Sequence, residues 1–328
     1  MSTKYIVGFL IFLAVLLGGW YYFQTPQKMW KVAFLALSEK DIQSNNLVGF
    51  KKGMERLGYI EGKNIEYIIK VASRGEESDK MAALMNKEEY DIILTGSTSS
   101  TESFKKLPDL GARVFFLSAG RPADLVKNFS APEGFITGIG EPTFAFTEKR
   151  IGFLKELLPS VKKIGTIIEH GHKTALASLS EVKSAADKLG IEVVVYEITT
   201  DKRQDLLEKL QFISKENGID AYIACTCASN ETYSKDIADY LIKAKIPGMN
   251  PEIEIGANIG WLVTFSNDRL KAGERAAESV DLILKGTPIS KVPVEVAQDA
   301  LLEVNKKTAE SIGVQIPAVI LERANKVY

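Results

Sequence analysis

Cys225 and Cys227 stand one residue apart at the end of an apolar run, and a C-x-C pair is able to bind metal or close a strained disulfide. Zinc needs about four ligands, and His170 and His172 are the only imidazoles in the chain; two packed thiols beside a pocket are the better reading. Glu169, His170 and His172 could form half of a metal site, but an H-x-H pair on a loop without a third convincing ligand reads first as polar pocket or surface residues. No G-x-G-x-x-G follows an expected strand and no G-x-x-x-x-G-K-[ST] occurs, which disfavours nicotinamide and nucleotide chemistry. Candidates for a nucleophile with its base are thin, so the chain is expected not to be an enzyme and to need no cofactor. What remains is binding. The turn Gly96-Ser97-Thr98-Ser99-Ser100 offers hydroxyls and free amides at a helix start, a combination suited to a carboxylate or another polar head. Ser99 and Ser100 read equally well as simple helix caps; Thr98 is the preferred contact.

Those side chains need a frame. After a short polar linker at 24–28 containing Pro26, apolar runs alternate with amphipathic helical stretches, the βαβ pattern. Strands are expected at 32–37, 65–71, 92–95, 114–117 and 135–137, then at 164–168, 193–196, 221–224 and 259–264. Their Val, Ile, Phe and Tyr show little polar alternation, as suits a sheet covered on both faces. Helices are expected to stop at Leu57-Gly58 and Leu189-Gly190, where glycine can take the left-handed conformation. Between them, 143–158 places Phe144, Ile151, Leu154 and Leu158 on one face before Pro159 and is expected to open a second lobe. A late helix at 267–284 leads through Gly286 and Pro288 to an extended segment at 292–296, expected to return between the lobes as part of a hinge. Residues 32–71 and 164–196 echo one another faintly, as two similar halves would. Two such open sheets facing each other put strand carboxyl ends and helix N-termini around a shared cleft.

Composition agrees with two water-soluble lobes. The 328 residues exceed what one core usually organises. Hydrophobic and charged contents of 45% and 25% are those of an ordinary globular protein. A net charge of −1, with only scattered pairs such as Lys51-Lys52 and Lys162-Lys163, disfavours nucleic acid as a partner. Residues 5–23 are nineteen in a row without a charge. As a helix they span roughly 28 Å, close to the hydrocarbon thickness of a bilayer. Trp20, Tyr21 and Tyr22 crowd the far end, where aromatic side chains settle at the membrane boundary. The sequence after Leu17 offers no convincing small-x-small cleavage site, so an uncleaved anchor is favoured over a cleaved signal. Either implies export.

The stretches GFKKGMERLGYIEGKNIEYI at 49–68, ITGIGE at 136–141, LKELLPSVKKIGTI at 154–167, AAESVDLILKGTPISKVPVE at 276–295 and EVNKKTAESIGVQIP at 303–317 resemble the ABC-transporter substrate-binding family whose characterised members bind tryptophan or tyrosine. The matches run in order over nearly everything after residue 30. The resemblance implies a type I periplasmic-binding-protein fold with three hinge crossings, a small-molecule ligand, amino-acid-like or aromatic, and delivery to an ABC permease. It also implies a pocket at the 96–100 turn. The chain departs from the family pattern at Glu169-His170-Gly171-His172-Lys173-Thr174-Ala175, which replaces an Asn-Pro-x-Glu-x-Asn-Ser loop. It departs again at Cys225-Thr226-Cys227-Ala228-Ser229-Asn230, where members carry Thr-Asp-Asn. An acid able to hold an α-amino group is missing there; Glu252 could substitute, although a solvated loop acid reads as well. The candidate ligand contacts are therefore Ser97, Thr98, Ser118, His170, Thr174, Thr226, Asn230 and Glu252, with no catalytic and no metal residues.

The expected architecture is α/β: two Rossmann-like lobes with parallel open sheets joined by a hinge, preceded by one N-terminal transmembrane helix. Residues 1–28 form the anchor and linker. Residues 29–141 form the N-terminal lobe, completed by a C-terminal segment at about 293–328, and residues 142–292 the C-terminal lobe. The expected role is that of an extracytoplasmic solute-binding protein tethered to the cell membrane, with a ligand-sensing module signalling through a separate membrane partner as the alternative.

Overall fold

The computed structural model describes residues 28–328 apart from positions 142, 172 and 201. The apolar run at 5–23, with its expected helix, and His172 lie outside those residues. Among the described residues no helix is long and apolar enough to cross a membrane.

Two sheets organise the chain. The first contains β1 (Trp30–Ala36), β2 (Ile65–Val71), β3 (Ile92–Thr95), β4 (Val114–Ala119), β5 (Ile136–Gly140) and the short β11 (Glu295–Val296). The second contains β6 (Lys163–Glu169), β7 (Glu192–Ile198), β8 (Ala221–Ile223), β9 (Gly248–Asn250), β10 (Val263–Asn267), β12 (Ala300–Val304) and β13 (Lys326–Val327). Their orders, β2-β1-β3-β4-β5-β11 and β7-β6-β8-β9-β10-β12-β13, repeat one pattern: β6 to β10 stand in the second sheet as β1 to β5 stand in the first. The echo read between 32–71 and 164–196 is therefore architectural. Pairing is parallel except between β10 and β12. Both faces are covered, as the unbroken apolar runs require. Along β1, Val32, Phe34 and Ala36 enter one core while Ala33 and Leu35 enter the other; Ile164 and Ile168 of β6 divide from Ile167 in the same way.

The chain crosses between lobes three times: after β5, between β10 and the helix Arg269–Leu284, and between β11 and β12. Two expectations about lobe membership fail. Helix Arg269–Leu284 belongs to the first lobe, where Ala276, Ala277 and Val280 share a core with Leu47, Phe50 and Met54 of helix Asn45–Arg56. Glycine allows that approach: a Cβ on Gly49 would stand 2.0 Å from the Leu270 carbonyl oxygen, and one on Gly273 2.1 Å from that of Asn46. Nor does a 293–328 segment complete the first lobe. Only Glu295–Val296 joins its sheet, beside Ile139 and Gly140, while Leu302 and Val304 are buried in the second lobe's core. Smaller differences are local. The strand read at 259–264 is Val263–Asn267, preceded by a 3-10 turn at Ala257–Ile259, and the helix read at 143–158 begins as a 3-10 turn before Thr147–Leu157. β9, three residues long, is too short to leave a periodic signal.

Candidate functional site

The lobes meet at the carboxyl ends of their strands. Asn45 Nδ2 donates to Glu254 Oε1 at 2.9 Å, Arg121 Nη1 to Thr174 Oγ1 at 3.4 Å, and Glu141 Oε2 lies 3.7 Å from Arg269 Nε. In each case residues following strand tips of one sheet reach residues following strand tips of the other.

On the first wall, β3 runs into the helix Thr98–Lys105 through Ser97. The Ser97 hydroxyl accepts from the Ser100 amide and the Ser100 hydroxyl accepts from the Ser97 amide, a reciprocal capping box. Thr101 Oγ1 donates to the Ser97 carbonyl and lies 2.7 Å from Thr95 Oγ1. The helix's first amides, Thr98 and Ser99 among them, have no partner inside a helix. Thr98, nearly buried, accepts from the Arg121 amide at 3.1 Å. Arg121 also pairs with Asp124 at 2.6 Å and approaches Glu102 at 3.6 Å.

The second wall is built on β8 and the short helix Ala228–Thr232, whose N-cap Cys227 makes no capping bond. Asn230 does the fastening: its Nδ2 donates to the Ile167 and Cys225 carbonyls, and its Oδ1 accepts from the buried Tyr222 hydroxyl. Glu169 Oε1 accepts from the Ser229 amide and Ser178 Oγ from the Thr226 amide. Cys225 and Cys227 are free and buried. Burial above all pushes Cys225 up and Cys227 up to about 12, so these thiols pack and do not act as thiolates. With Thr226, Asn230, Glu231 and Glu252, Cys225 edges a recess of only about 10 Å³, enough for one water at most.

Arg269, at the second crossing, joins the walls. Its Nη2 meets Glu252 Oε2 at 2.5 Å, its Nη1 meets Glu254 Oε2 at 3.2 Å, and Glu141 stands beside its Nε. Glu252, with burial opposing it, holds the guanidinium charge above its ordinary range, helped by Glu254, Glu141 and Glu231. Burial pushes the Glu141 carboxyl up, while Arg269 and the hydrogen bonds from Ser118 Oγ and Asn46 Nδ2, both 2.7 Å, pull it down. Arg150, buried behind this cluster, donates through Nε to the Phe265 carbonyl at 2.7 Å; burial first of all lowers it to about 10.

The structure brings Thr98 and Thr174 together on Arg121, with Ser97 held in its capping box beside Thr98, and Ser118 and Glu252 together around Glu141 and Arg269. Thr226 lies in the wall with its amide bonded. Asn230 is a fastener, and Glu252 is an ion-pair partner where a solvated loop acid was the rival reading. His170 stands apart, largely exposed, its Nδ1 2.8 Å from Glu197 Oε2 on the edge strand β7. Sequence reasoning missed Arg121, Glu141, Glu231 and Arg269. Arg121, Glu141 and Arg269 each stand within two residues of a strand end, so position after an apolar run was the available signal; Glu231 lies farther on, in the helix after β8, where no such signal marks it.

A model of the ABC transporter substrate binding protein family matches residues 31–328. A tyrosine-binding protein of Clostridioides difficile (strain R20291) is 25% identical over 270 residues, 81% of this chain and 76% of that protein. Among solved structures, a conserved domain protein from Vibrio cholerae superposes with a TM-score of 0.77 at 23% identity, covering 93% of this chain and all of that one. An ABC domain from Streptococcus pneumonia in complex with L-Trp gives 0.73 at 20% identity, covering 91% of this chain and all of that one. The ligand-free, open structure of a substrate-binding protein with adhesive properties from Clostridium difficile gives 0.72 at 22% identity, over 92% and 99%. At these identities the structural likeness speaks for the fold alone, which is the two-lobe periplasmic-binding-protein arrangement.

Proposed function

The chain belongs to the ABC transporter substrate binding protein family, and from that premise we propose that it captures a small, amino-acid-like solute between its lobes and delivers it to an ABC permease. The observation that carries this reading is the facing of two topologically equivalent sheets, carboxyl end to carboxyl end, around polar groups that cross from lobe to lobe. Open α/β sheets bind ligands at such ends because loops converge there and helix amides point outward. The 96–100 turn receives the solute's anionic or polar end, with Thr98 and the neighbouring amides as contacts. The run at 5–23 holds the lobes at the outer face of the cell membrane.

Mass spectrometry of small molecules released from the purified full chain tests the capture step. An amino-acid-like compound is expected, and adding it back at about 100 times its dissociation constant should add about 2.7 kcal/mol of stability. Thr98→Ala should weaken that compound's affinity. A wild-type chain that releases nothing and that no added solute stabilises would sink the reading.

A further inference from the structure

Every carboxylate in the second wall but one is already engaged. Glu169 accepts from the Ser229 amide, and Glu252 and Glu254 hold Arg269. Glu231 is the exception: on helix Ala228–Thr232, open to solvent, its carboxylate has neither a hydrogen bond nor an ion pair among the described residues. Glu231 lines the small recess beside Thr226, Asn230 and Glu252, and Arg74 of the other lobe stands near enough to act on its charge. The first wall contributes the amides at the start of helix Thr98–Lys105 and the Arg121 guanidinium, which reaches Thr174 of the second lobe, groups that favour a negative end. We infer that Glu231 is the specificity-determining contact of the cleft, the carboxylate that receives the ammonium end of the solute; this deepens the solute-binding reading above and rests on it.

The electrostatic surroundings agree. The low-dielectric cleft walls first, then the charge of Glu252, raise Glu231 to about 7, with Glu169 adding to the rise while Arg269 and Arg74 oppose it. Arg269 is already shared among three other carboxylates, and Arg74 lies in the other lobe on the loop after β2. An arriving ammonium supplies the positive charge this position lacks and favours the ionised form. Affinity should therefore be full above about pH 7 and decline toward roughly tenfold per unit as the pH falls below it. Arg74 offers the rival role: a latch in which Glu231 grips the opposite lobe and never touches the solute.

The test is titration calorimetry on the full chain in detergent. The probes are the common L-amino acids and tyramine, set against the amine-free counterparts 3-(4-hydroxyphenyl)propionate and indole-3-propionate, at pH 6 and pH 8. For the amine-bearing probes that bind, Glu231→Gln should cost tenfold or more and abolish the difference between the two pH values. Amine-free binders should change less than twofold, and Glu231→Asp should recover part of the loss. An unchanged melting temperature in both variants excludes a folding defect. If Glu231→Gln leaves the amine-bearing probes unaffected, the assignment fails while solute binding stands. Equal weakening of both probe classes, matched by Arg74→Ala, overturns it in favour of the latch. A wild-type chain that binds no probe at either pH overturns the assignment together with the reading beneath it.

Discussion

The turns after β3 and β8 hold equivalent places in their sheets and spend their polar groups in opposite ways. After β3, hydroxyls three and six residues apart satisfy one another, and the turn they form is neutral and locally complete. After β8 no hydroxyl caps the helix. Asn230 is fastened instead to the neighbouring strand β6 and to its own turn, and the charges that complete the wall arrive from residues 252 and 269. A wall satisfied within a few residues keeps its shape whatever the other lobe does. One completed by a residue at an interlobe crossing is coupled to that crossing through Arg269.

Removing the shared residue should break the comparison most forcefully. Arg269→Met leaves Glu141, Glu252 and Glu254 crowded without their cation, and about 3–5 kcal/mol of stability should be lost in urea unfolding near neutral pH. The deficit should shrink on acidification. Glu141 already has a raised native value and rises further without Arg269; a group raised on folding contributes its stability below its unfolded value and loses it as pH climbs through the folded one. A deficit that grew in acid would contradict this account of the cluster.

Within the second wall, Asn230→Ala strips three buried hydrogen bonds and should cost about 1–3 kcal/mol. The matching change in the first wall, Ser97→Ala, removes half a capping box and should cost about 1 kcal/mol. Thermal or urea unfolding of the two variants side by side sharpens the contrast, and a larger loss at Ser97 would reverse it. His170→Ala should be the quietest: its exposed pairing with Glu197 is worth little, so stability should stay within about 0.5 kcal/mol. Solute affinity should not change with it.

Much of the fold was legible because strand and helix periods are local properties. Nearly every expected strand exists, and the stops at Gly58 and Gly190 both take positive φ. The site was legible only in outline. Ser97, Thr98, Ser118, Thr174 and Glu252 reach the interlobe face, whereas His170 faces away beside β7 and Asn230 is turned inward. A sequence lists which polar residues follow which strands, but the direction of each depends on the rotamer its packing permits.

The amino-acid sequence by itself determined two open α/β sheets, the hydroxyl-rich turn after β3 and the apolar run ahead of the lobes, since each is written in contiguous residues. Lobe membership was decided only in three dimensions. Helix Arg269–Leu284 follows a strand of one lobe yet packs on the other, because Gly49, Gly53 and Gly273 let two helix backbones approach more closely than any Cβ would permit. The assembly of Glu141, Glu252, Glu254 and Arg269 was decided there too: Glu141, more than a hundred positions from the other three, becomes their neighbour only where the chain crosses between its sheets.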